Sequence, residues 1–174
     1  GGLSRFKQLG FSRIGFVASH TETTNFSLRR DAFLKNMKRL ELSVQERDIL
    51  SVESTYEGAY RDTCALLHSG LDLAECYFCT NDIIAYGFIK ALKGKGIRIP
   101  EDVSIIGFDN LPQSATMEPM LTTVDVSKRK IGNLAVTILD DLINSSEVQP
   151  AVKILVGANL VVRASDSDFA ASKI

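Results

Sequence analysis

FCTNDIIAYGFIKALKGKGIRIPEDVSIIGFD, residues 78–109, is the stretch whose pattern decides the fold. Residues 77–80 form a short apolar run, and Asn81 and Asp82 close it with polar oxygens where a helix would begin. Ile84, Phe88, Ala91 and Leu92 recur at helical spacing, so residues 83–93 are predicted to bury one face. Gly94 and Gly96 stop that helix, and Pro100 cannot continue it. Residues 103–108 make a second apolar run, ended by Asp109. Two strands joined by a helix are expected to be parallel neighbours with a right-handed crossover. Asn81, Asp82, Phe108 and Asp109 would then share one edge of the sheet, the edge at which open α/β sheets bind ligands.

The flanking chain repeats the unit. Leu3, Phe6 and Leu9 sit at helical spacing before Gly10, and residues 14–18 make a strand. A polar loop, SHTETTN, precedes a helix whose buried face is marked by Phe26, Phe33, Met37 and Leu40. Residues 49–52 are the next strand. Ser54-Thr55-Tyr56-Glu57 has the spacing of a capping box, opening a helix that turns Tyr60, Cys64 and Leu67 inward before Gly70. His68, near that helix's end, has the sign that suits a carboxyl terminus. The succession predicts an α/β fold with a parallel sheet flanked by helices on both faces. Beyond Asp109 the pattern changes. Residues 110–119 hold two prolines and form a loop, and residues 121–126 are extended. Ile131, Ala135, Ile138 and Leu142 define one more helix, entered at Ser127 and broken by the polar run 144–149. Lys128, Arg129 and Lys130 crowd its first turn as a solvated basic face, since no glycine-rich loop accompanies them. Residues 152–156 and 160–162 are predicted strands, and residues 166–174 a frayed tail.

Composition narrows the function classes. A chain of 174 residues, 45% hydrophobic, can build one domain with a real core. Its 20 basic and 21 acidic side chains leave a net charge of −1, so it has no basic footprint for nucleic acid. No apolar run approaches the ~18 residues of a membrane span, and no signal segment is visible. Cys64, Cys76 and Cys79 are an odd set. The C-x-x-C pair lies in a buried strand without a second pair or a histidine cluster, which favours core thiols in a reducing cytosol over a zinc or redox site. No metal or cofactor is expected.

The inventory for catalysis is thin. His20 and His68 are the two histidines, neither beside a plausible nucleophile, and no G-x-S-x-G, Walker loop or metal-spaced set appears. An enzyme is not expected. Arg29 and Arg30 fall in the first turn of their helix, the wrong sign for an amino terminus. One of them is accounted for by Asp31 and solvent; the other suits a guanidinium aimed at a ligand with paired oxygens. With Asn81 and Asp109 it makes a hydrogen-bonding kit of donors, an amide and an acceptor carboxylate, which fits the hydroxyls of a sugar. Taken alone, Asn81 is explained as a helix cap and Asp109 as a strand terminator.

The words CTNDIIAYGFIKAL, GIRIPEDVSIIGFDNLPQS and PMLTTVDV, in that order, resemble the effector-binding domain of LacI/GalR-type transcriptional regulators. The likeness runs from LGFSRIGFV to LVVRAS. It implies a periplasmic-binding-protein-like type I fold holding a small-molecule effector, a sugar or sugar phosphate, between two lobes. Matching RRDAF to the family's segment puts Arg30 on the effector, with Asn81, Asp109, an apolar wall from Phe108, and Phe26 as a further candidate. It also implies a cytoplasmic homodimer using Tyr86, Met117 and Met120. On that template residues 1–11 are a residual helix of the amino-proximal lobe and residues 12–109 the carboxyl-proximal lobe. Residues 110–127 are a crossover loop and strand, residues 128–150 a helix of the amino-proximal lobe, and residues 151–165 the final strands. Part of the amino-proximal lobe and the helix-turn-helix have no counterpart here, so operator DNA is expected to be reached only through that absent amino-terminal domain. Ser54 and Val126 stand where many members carry an aromatic and a polar residue. The alternative is a periplasmic sugar-binding protein of the same fold serving a transporter.

Overall fold

The computed structural model describes residues 2–166 of the chain. Helix α1 (Gly2–Gln8) buries Leu3 and Phe6 and stops before Gly10, whose φ of 86° is open to glycine at little cost. Strand β1 (Ile14–Ser19) follows, then α2 (Thr24–Arg39), whose amino terminus is capped by the Thr23 side chain accepting from the Phe26 amide. Strand β2 (Ile49–Val52) leads to α3 (Tyr56–His68). The cap of α3 is Thr55, which accepts from Gly58 N, one residue later than the predicted capping box. Glu57 is therefore too close to the cap to close a reciprocal pair. Strand β3 (Cys76–Cys79), helix α4 (Asp82–Gly94) and strand β4 (Ser104–Phe108) form the predicted strand–helix–strand unit. Strand β5 (Thr122–Asp125), helix α5 (Lys128–Asn144) and strand β6 (Asn159–Val161) complete the order.

The strands lie in the order β2-β1-β3-β4-β5-β6, parallel through β5, with Cys76 opposite Ser104 across β3 and β4. β6 joins antiparallel, pairing Leu160 with Val124, so the sheet is mixed at one edge. Residues 152–156 form no strand: Val152, Ile154 and Leu155 are exposed and pair with nothing in the sheet. The tail expected at residues 166–174 lies, past Asp166, outside the described residues.

Side chains alternate across the sheet with a period of two. Phe16, Cys76, Phe78 and Ile106 face α1 and α2, where Phe33 and Met37 meet them. Val17, Tyr77, Cys79 and Ile105 face α3 and α4. Burial pushes the Cys76 and Cys79 thiols well above their ordinary range, so both are packing groups rather than nucleophiles. Helix α3 packs on α4 where Gly87 allows close approach: a Cβ there would lie 2.5 Å from Tyr56 O and 2.8 Å from Ala59 Cβ. Arg13 stitches the amino edge, reaching Asp48 at 2.6 Å and Asp72 at 2.9 Å, which raises its basicity further. Among the described residues no helix is long and apolar enough to cross a membrane.

Candidate functional site at the carboxyl edge of the sheet

Parallel pairing brings the carboxyl ends of β3 and β4 side by side, and the turns leaving them carry the candidate residues. Asn81 caps α4, its Oδ1 accepting from Ile84 N at 2.8 Å. The helix-cap reading therefore holds, and the amide nitrogen, which makes no bond among the described residues, is left as a donor at the edge. Asp109 follows β4 with φ of 112°, and Asn110 continues at 49°. Both values lie where residues other than glycine are uncommon. Asp109 Oδ1 accepts from Arg29 Nη2 at 3.2 Å. The same guanidinium donates to Thr80 O at 2.8 Å and lies 4.0 Å over the Phe108 ring. One planar cation thus ties α2 to the ends of both strands.

Burial pushes the Asp109 carboxyl above the ordinary carboxylate range. The Arg29 charge opposes this, the neighbouring Asp82 charge adds to it, and Lys128 opposes it. Lys128, from the first turn of α5, also donates to the Asp109 carbonyl oxygen. Beside the ion pair is a cavity of about 180 Å³, lined on its apolar side by Phe33, Phe78, Phe108 and Val124 and on its polar side by Arg29 and Asn36.

Three sequence-predicted residues meet here: Asn81, Phe108 and Asp109. Arg30 does not. It is exposed and lines a polar groove over the ends of β1 and β2 with Ser19 and Ser51, reaching Thr80 from the other side, while its neighbour Arg29 turns to the sheet. The physical reason is helical phase, since Arg29, Phe33 and Met37 are spaced i, i+4, i+8 on the stripe that faces the sheet. Phe26 is half-buried in that same polar groove, away from Phe108. Tyr86 is turned inward as well. It is 9% exposed, and its hydroxyl meets Ser114 Oγ at 2.7 Å. Of the residues assigned to a dimer face, Met120 is exposed and Met117 packs at the edge of the core beside α4. Ser54 and Val126 are half-buried. Sequence reasoning missed Lys128, taken only as a solvated cation, and Asp82, taken only as a helix opener. Asp82 is fully buried, and nothing in its local pattern distinguishes it from an ordinary first-turn acid. No group of three or more His, Cys, Asp or Glu among the described residues is arranged to hold a metal ion.

Comparison with known proteins agrees with the fold. The family described as periplasmic binding protein-like domain matches residues 3–165. The HTH-type transcriptional repressor PurR of Pasteurella multocida is 35% identical over 156 residues, covering 90% of this chain and 46% of that protein. The PurR of Haemophilus influenzae strain PittEE is 34% identical over 160 residues, covering 91% and 47%. The chain thus spans about half the length of the curated relatives it matches. A LacI-family regulator from Enterococcus faecium with bound ribose superposes with a TM-score of 0.80 at 26% identity, covering 94% of this chain and 60% of that one. A sugar-binding LacI-family regulator from Escherichia coli complexed with phosphate gives a TM-score of 0.83 at 20% identity, covering 96% and 59%, a likeness of fold.

Proposed function

The chain belongs to the periplasmic binding protein-like family, and from that premise we propose that it is the effector-binding part of a LacI-type transcriptional regulator, sensing a sugar or sugar derivative. The observation that carries this reading is the convergence of Arg29, Asp109, Phe108 and Asn81 at the carboxyl edge of β3 and β4. A carboxylate that accepts, a guanidinium that donates and an amide nitrogen that donates match neighbouring hydroxyls, each of which does both. The ring of Phe108 gives one apolar face against which the C–H side of a sugar can lie. Residues 12–109 form one lobe in this reading, and α5 belongs to the other. Binding would close the lobes and shift the population of two states of a homodimer, with Met120 on the shared face. With a net charge of −1, this chain leaves DNA contact to another part of a longer parent, in the cytoplasm.

A second reading is favoured by one observation. The Arg29 guanidinium over the Phe108 ring, beside the cavity lined by Phe33, Phe78 and Val124, suits a planar nitrogenous ring as well as a sugar. A thermal-shift panel of pentoses, hexoses, their phosphates and nucleobases separates the two. The expected result is a Tm rise with a sugar or sugar phosphate that disappears in Arg29→Ala and Asp109→Ala and survives in Arg30→Ala. A response confined to nucleobases selects the second reading. A parent-length protein that responds to no member of the panel defeats both.

A further inference from the structure

Three consecutive amides hold the turn that presents Asp109. Asp109 N donates to Val124 O at 2.9 Å, Asn110 N to Thr123 Oγ1 at 3.2 Å, and Leu111 N to Asp82 Oδ2 at 2.8 Å. Thr123 Oγ1 in turn donates to Asp82 Oδ1 at 2.6 Å, and Ser114 Oγ to Asp82 Oδ2 at 2.7 Å. The second and third of those amides therefore end on one carboxylate, through a hydroxyl or directly. That carboxylate is fully buried and bonded to hydroxyl and amide donors. Thr123 and Ser114 both give their hydroxyl protons to it, and with the Ser114 proton so used, Tyr86 is left to donate to Ser114.

The fit around Asp82 is close. Gly107, on β4, has no side chain, and a Cβ there would collide with Asp82 Oδ1. Asp82 also occupies the first turn of α4, where a negative charge is favoured. A buried carboxylate is costly unless every lone pair finds a partner. What the arrangement maintains is the backbone of Asp109 and Asn110 at positive φ, a conformation that persists for non-glycine residues only where the surroundings over-determine it.

We propose that Asp82 is a positioning residue for effector binding, acting through Thr123 and the Leu111 amide to hold the left-handed turn that aims Asp109 into the site. Asp82 itself does not touch the effector. Arg163 supports the same turn from the far side, with Nη2 donating to Asn110 Oδ1 at 2.8 Å and Nη1 to Leu121 O at 2.7 Å. The role of Asp82 rests on the reading that Asp109 meets the effector, whereas the positioning itself is measurable without any ligand.

The test is residue-resolved hydrogen exchange and carboxyl NMR on the full chain. Asp82→Asn replaces one acceptor by a donor, so it must lose at least one tie to the turn. The expected result is at least about tenfold faster exchange at the Asn110 or Leu111 amide, with Phe16 and Phe78 amides in β1 and β3 unchanged. Thr123→Val keeps the Asp82 charge, and in it the Asn110 amide should lose protection while the Asp109 carboxyl titrates closer to the ordinary carboxylate range as it gains water. Thr123→Ser keeps the hydroxyl and should restore both. Unchanged exchange at Asn110 and Leu111 in Asp82→Asn and in Thr123→Val overturns the proposal, and so does a rise shared equally with β1. If Asp82→Asn does not fold, the Thr123 pair decides alone. Failure of the effector reading appears elsewhere, as a thermal-shift panel without a response.

Discussion

Helices α4 and α5 are the same kind of object in sequence and opposite kinds in structure. Each carries an apolar stripe at helical spacing. Nine residues of α4 are buried, including Ile84, Phe88 and Leu92 at 0% exposure. None of α5 is, and Val136 and Ile143 are 68% and 70% exposed. The stripe says which face of a helix is to be covered; whether anything covers it depends on what else the chain supplies. Around α4 the chain supplies α3, β1, β3 and β4. Around α5 the described residues bury none of its side chains, and most helical stability in proteins comes from packing of the apolar face.

The largest expected effect breaks the comparison directly. Phe88→Ala in α4 removes a fully buried ring and is expected to cost about 3–5 kcal/mol in chemical denaturation. Leu142→Ala, at a matching stripe position in α5, is expected to stay within about 0.5 kcal/mol. Equal losses would mean that α5 is packed in solution. Glycine gives the next effect, and it changes sign between the helices. Gly87→Ala drives a methyl into the backbone and side chain of α3 and is expected to destabilise by about 1–3 kcal/mol. Gly132 has nothing within 4 Å of its missing Cβ, so Gly132→Ala is expected to stabilise by about 0.5–1 kcal/mol, through lower unfolded-chain entropy and better helix propensity.

The same contrast explains what the sequence disclosed. The α4 unit was legible because burial writes itself twice, as an apolar stripe and as the strand runs on either side. That Asn81, Phe108 and Asp109 would be neighbours was legible, because parallel pairing fixes where the ends of β3 and β4 lie. On α2 the sequence pointed to Arg30, whereas the side chain that reaches those strand ends is Arg29. Arg29 and Arg30 are about 100° apart around the helix, and their own identities give no phase. Phe33 and Met37 do, and counting back four from Phe33 reaches Arg29. Asp82 was illegible for a different reason. Its partners, Thr123, Ser114 and Leu111, are 29 or more positions away, and only the closed sheet brings them to it. Tyr86 shares that reason: one turn on from Asp82, it faces Ser114 rather than solvent.

The Asp109 turn lies between the two regions, touched by Lys128 from α5 and by Asp82 from α4, and its smallest expected effect is one of pH. The folded Asp109 carboxyl is raised above its unfolded value, chiefly by burial. The native state therefore holds this proton more firmly than the unfolded chain does. Its contribution to stability is complete below the unfolded carboxylate value, about 3.9, and is lost as pH rises through the folded value. Asp109→Asn mimics the protonated group at every pH. Its Tm should match that of the parent chain in the most acid buffer that keeps the fold, and should exceed it slightly at pH 7, while the response to effector is lost. Arg29→Ala, which removes the opposing cation, should move Tm the other way at pH 7. A Tm for Asp109→Asn below the parent's at neutral pH would mean that the ion pair outweighs burial. A Tm above it, with binding gone, would mark Asp109 as a group kept for its ligand at the expense of the fold.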